Sequence, residues 1–90
     1  MKFYKQIVNF LDKAIFNDYF DKIELIKIIK EYDSTISDKT CNKFINLCKS
    51  YCSEKDKIIE WNCSFYPNRV DFIKNEFENM KNKIENEIEN

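Results

Sequence analysis

Apolar residues recur along this chain every three or four positions, with polar and charged residues between them, the spacing of amphipathic helices. From Phe3 to Phe16, the residues Phe3, Ile7, Phe10 and Ala14 form one stripe, and Tyr4, Val8, Leu11 and Ile15 widen it. A face that broad predicts a helix well buried in a bundle. The polar stretch Asn17-Asp18-Tyr19-Phe20-Asp21 breaks the pattern. Asp21 with Glu24 three residues on is a capping arrangement and predicts a second helix to about Tyr32. Ile23, Leu25, Ile26, Ile28 and Ile29 crowd that helix and point to a central position. Its β-branched content lowers helix propensity slightly, but the charges at Lys27, Lys30 and Glu31 favour helix over strand.

Asp33-Ser34-Thr35 reads as a loop, and Ser37 as the N-cap of a third helix. There Cys41, Phe44, Ile45, Cys48, Tyr51 and Cys52 follow one helical face. Ser53, with Asp56 three residues later, predicts the start of a short fourth segment bearing Ile58, Ile59 and Trp61. Residues 61–66 are the least regular stretch. Pro67 then takes the place proline favours in a first helical turn. Beyond it Val70, Ile73, Phe77, Met80 and Ile84 step by three and four, a narrow seam rather than a broad face. Some twenty residues of helix span roughly 30 Å. The expectation is an all-α fold: one domain, residues 1–90, a compact bundle of four to five helices with a long C-terminal helix. Short loops make successive helices antiparallel neighbours.

Composition narrows the chemistry. The 90 residues include no glycine and no histidine. Without glycine the phosphate-cradling loops, the dinucleotide fingerprint and most two-residue hairpins are excluded. Without histidine the commonest acid–base and metal-ligand side chain is missing. Fourteen aromatics and 43 % apolar residues are enough to build a core and argue against disorder. Lys, Asn and Ile fill 38 of 90 positions, whereas Arg, Ala and Pro occur once each. That bias is the signature of a very AT-rich gene, and it discounts lysine abundance as a functional signal.

Fifteen basic residues against sixteen acidic ones leave a net charge of −1. This balance argues against a nucleic-acid footprint and falls short of a DNA mimic. A helix-turn-helix over residues 21–52 fits the periodicity, but the acidic balance and the missing turn glycine weigh against it. The opening stretch MKFYKQIVNFLDKAIF is interrupted by Asp12 and lacks the form of a secretory signal. No window is long and apolar enough for a membrane span. The expected location is the cytoplasm.

Four cysteines, Cys41, Cys48, Cys52 and Cys63, raise metal or redox chemistry. The only close pair, Cys48 and Cys52, shares one helical face with Phe44 and Ile45, unlike a paired zinc-ligand spacing. Buried hydrophobes are the expected role, with no metal and no cofactor. A nucleophilic thiol lacks a base. The carboxylate pairs Asp18/Asp21 and Glu76/Glu78 are unremarkable among sixteen acids, so no catalytic residue is assigned. Asn62-Cys63-Ser64 matches a glycosylation sequon by chance.

Two surfaces remain as candidates. Trp61, Phe65, Tyr66 and Arg69 bring the residue types of interface hot spots into one irregular stretch; these rings equally serve to plug the bundle and anchor the last helix. The seam Ile73, Phe77, Met80 and Ile84 either packs on the bundle or pairs two copies in a homodimer. By elimination, the expected function is that of a small non-catalytic protein-binding inhibitor, encoded by a phage or mobile element and sterically blocking a host protein such as a CRISPR or other defence nuclease, or a polymerase. A toxin immunity protein is the alternative, against which the near-neutral charge counts. A homodimeric structural module built on the last helix is an alternative of another class.

Overall fold

In the computed structural model the described residues are 2–63 and 66–89, with side chains to residue 83. They form five α-helices and no strand: α1 Lys2–Asn17, α2 Lys22–Tyr32, α3 Asp38–Ser53, α4 Lys55–Asn62 and α5 Asn68–Glu89. The chain is an all-α bundle with the long last helix expected from its seam.

The helix starts follow local chemistry. Asp21 caps α2 by accepting a hydrogen bond from the Glu24 N–H at 3.1 Å, and Ser37 caps α3 by accepting one from the Thr40 N–H at 3.2 Å. Each satisfies a backbone donor that the first helical turn leaves without a partner. Between α2 and α3, Asp33 accepts hydrogen bonds from both the hydroxyl and the backbone N–H of Thr35, at 2.6 and 3.0 Å. These bonds hold its carboxyl below the usual range. The Lys30 ammonium spans the same loop, donating to the Ile36 carbonyl at 3.0 Å, while the Ile36 side chain is buried.

The end of α1 shows how a chain without glycine closes a helix. Asp18 takes a left-handed conformation, φ 51°. Its N–H donates to the Ile15 carbonyl at 3.4 Å, and the Tyr19 N–H reaches back to the Ala14 carbonyl at 3.1 Å. This pair of bonds is the Schellman closure, normally built on glycine because other residues suffer a Cβ clash there. Aspartate is among the few side chains that tolerate the position.

α1 and α3 carry the core. α1 packs against α2, α3 and α5, and α3 packs against α2, α4 and α5. Phe77 of α5 stands edge-on to Phe44 of α3 at 4.8 Å and to Phe3 of α1 at 5.3 Å. Aromatic pairs favour this arrangement because the positive ring edge meets the negative face.

Three expectations are corrected. α2 is not central: only Leu25 and Ile29 are buried on it, and Ile23 is 81 % exposed. At 100° per residue, Ile23 lies on the opposite side of the helix from Leu25, so an isoleucine-rich sequence still exposes one face. Ser53 does not open α4. It ends α3, its hydroxyl donating to the Lys49 carbonyl at 2.8 Å, and Glu54, in extended conformation without a side-chain cap, joins the two helices. Pro67 stands just ahead of α5, its carbonyl accepting from the N–H groups of Val70 and Asp71.

Candidate functional site

The segment singled out by its hot-spot residues is largely built into the bundle. Trp61, near the end of α4, is 1 % exposed. Its indole N–H donates to Asp12 Oδ1 of α1 at 2.8 Å, and Arg69 Nη1 of α5 donates to the same oxygen at 2.6 Å. The Arg69 guanidinium also sits over the indole, 5.5 Å from the ring centroid. One carboxylate oxygen therefore ties three helices together. Tyr51 supports the indole from α3 at 5.8 Å. Trp61 and Arg69 are internal anchors, not free contact residues, and their partner Asp12 lies 49 and 57 residues away in the chain. Tyr66 is half-exposed; Phe65 lies outside the described residues.

The seam of α5 is likewise occupied. Ile73 and Phe77 are buried within the chain's own bundle, and Met80 packs partly against the same core. A second copy has no access to Ile73 or Phe77 while the bundle stays folded. The side chain of Ile84 lies outside the described residues.

The structure instead exposes a different apolar group. Phe16 is 89 % exposed, Ile23 81 % and Tyr19 68 %. They stand at the corner where α1 turns into α2: Phe16 in the last turn of α1, Tyr19 in the connection, Ile23 in the first turn of α2. Single exposed apolar residues are ordinary on protein surfaces, and three large ones within eight residues make this corner the candidate contact. Tyr19 also lines a small cleft of about 110 Å³, with Phe10, Lys13, Ala14, Asn17, Asp21 and Glu24. The sequence does hint at this corner. Phe16 falls off the apolar stripe of α1, and Ile23 falls opposite Leu25 and Ile29.

Three of the four cysteines are at least half-buried. Cys41 and Cys48 are buried, Cys52 half-buried and Cys63 exposed, all as free thiols. Burial raises the pKa of Cys41 and Cys48 and pushes Cys52 up to about 11, so these three remain protonated at neutral pH and are poor nucleophiles. Among the described residues, no group of three or more His, Cys, Asp or Glu side chains is placed to hold a metal ion. No described helix is long and apolar enough to cross a membrane.

Comparison with known proteins finds no match: no family model matches, and no curated protein or solved structure is significantly similar to the chain.

Proposed function

We propose that this chain is a small non-catalytic binding protein that acts by covering a surface of a protein target, with the α1–α2 corner as its contact. One observation carries this reading: Phe16, Tyr19 and Ile23 project 68–89 % exposed from a corner whose backbone is held by the Asp18 closure and the Asp21 cap. Apolar side chains on an already ordered backbone lose little freedom on binding, so their burial converts efficiently to affinity. A partner that buries a phenylalanine or isoleucine there gains roughly 1.5–3 kcal/mol per side chain. The type of target is proposed from composition and size alone: a host defence nuclease or comparable protein, inhibited sterically by a phage or mobile-element product.

The test is affinity capture from an AT-rich bacterial lysate with the tagged protein, using Phe16→Ser/Ile23→Ser as the control. Both positions lie outside the core, so the control keeps the wild-type melting temperature. A near-stoichiometric protein captured by the wild type and lost with the control supports the reading. Recovery of the bait alone, or capture indifferent to both substitutions, overturns it.

A further inference from the structure

The charges around the α1–α2 corner are of both signs. Lys13 lies one turn before Phe16 and Lys27 one turn after Ile23, spacings that share a helix face with those residues, and Lys22 adjoins Ile23. Against these three lysines stand the exposed Asp18 and Glu24 and the half-buried Asp21. Lys13, Asp21 and Glu24 line one cleft with Tyr19, so opposite signs meet within the same small patch. None of Lys13, Lys22, Lys27, Asp18 or Glu24 forms an ion pair within the chain among the described residues.

Such a rim discriminates between partners. A surface of one sign, acidic or basic, would meet like charge along half of it, which costs several kcal/mol where like charges face each other. A second copy of the patch, turned about a two-fold axis, can bring acid to lysine on both sides. An isologous interface is self-complementary, so both members of every ion pair must lie within one patch, as they do here. Area then sets the strength. Side chains of this size offer roughly 150 Å² apiece, about 450 Å² for Phe16, Tyr19 and Ile23 together. A stable interface covers about 800 Å² on each partner. The corner therefore holds a second copy weakly and releases it readily.

We infer that two copies of this chain pair through the α1–α2 corner, Phe16, Tyr19 and Ile23 meeting their counterparts about a two-fold axis and the lysines of each copy facing the acids of the other. This pairing rests on the proposed reading of the corner as a contact surface. It adds that the free chain covers that surface with itself, so a target must displace a copy. It is distinct from a dimer on the last helix, whose Ile73 and Phe77 are enclosed in the bundle.

Sedimentation equilibrium of the full chain from about 10 µM to about 1 mM tests the pairing. The expected result is a mass that rises from one copy toward two across that range, while Phe16→Ser/Ile23→Ser stays at one. Lys13→Glu/Lys22→Glu makes the rim acidic. Asp18→Asn/Glu24→Lys makes it basic, with asparagine tolerated at the left-handed position. Each variant alone should pair about tenfold or more weakly than wild type, and an equal mixture of the two should recover pairing. Circular dichroism should be unchanged throughout. A single-copy mass across the whole range, undiminished pairing of Phe16→Ser/Ile23→Ser, or a mixture that pairs no more tightly than either variant alone would each overturn the inference. These outcomes are separable from those of lysate capture. A target captured by a chain that stays single leaves the corner as the target's contact and removes the self-pairing. A pair formed through the corner while the lysate gives bait alone leaves the self-pairing and removes the inhibitor reading.

Discussion

The Trp61–Arg69 stretch and the Phe16–Ile23 corner pose the same question with opposite answers. Both place large apolar side chains and nearby charge at a break between helices. In the first, the indole is buried and both it and the guanidinium bond to Asp12. In the second, Phe16, Tyr19 and Ile23 face solvent. Trp and Arg are enriched at interfaces because they combine large area with directed donors. Those properties serve an internal junction equally well. The difference lies in what the rest of the chain brings opposite them: α1 supplies an acceptor for Trp61 and Arg69, while no described element covers Phe16 or Ile23.

This contrast can be broken at several points. The largest effect is expected from Trp61→Ala, which removes a buried indole and leaves Arg69 and Asp12 around a cavity. It should cost about 3–5 kcal/mol, read as a lower urea midpoint with unchanged slope. A loss under 1 kcal/mol would mean that the indole is not an anchor. Asp12→Ala should come next, at about 2 kcal/mol, because two donors lose one acceptor in a partly buried setting. Combined with Arg69→Ala, it should cost less than the two single losses added together.

A smaller effect, opposite in sign, is expected at the corner. Asp18→Gly relieves the left-handed strain at φ 51° and should raise stability by up to about 1 kcal/mol. Asp18→Val should lower it, since a β-branched side chain is strongly disfavoured there. The smallest effect is predicted for Phe16→Ser/Ile23→Ser, within about 0.5 kcal/mol of wild type. A large loss for that pair in thermal melts would show that the corner is part of the core and would erase the contrast.

Much of the architecture was legible in local pattern. The stripe of α1, the caps at Asp21 and Ser37 and the seam of α5 each depend on residues within a few positions of one another, which is the range over which helix geometry repeats. Two of the three departures from the local pattern were also local in origin. Ser53 has the chemistry of an N-cap, yet its hydroxyl bonds back to Lys49 within α3. The isoleucines of α2 are numerous, but their angular positions leave Ile23 on the side away from Leu25. The contact surface was less legible. Hot-spot composition pointed to Trp61 and Arg69, and no local signal reveals an acceptor 49 or 57 residues away.

Local chemistry dictates an all-α chain and roughly where its helices begin, and composition removes histidine-based and glycine-loop chemistry. Backbone capping and helical periodicity are short-range, so they are written in neighbouring residues. Which apolar residues remain outside is set by how the helices pack. Leu25 and Ile23 differ little in chemistry, yet one is fully buried and the other 81 % exposed. Burial depends on which helix lies opposite, and that follows from the packing of α1 and α3 against the rest, a property of the assembled chain rather than of any segment.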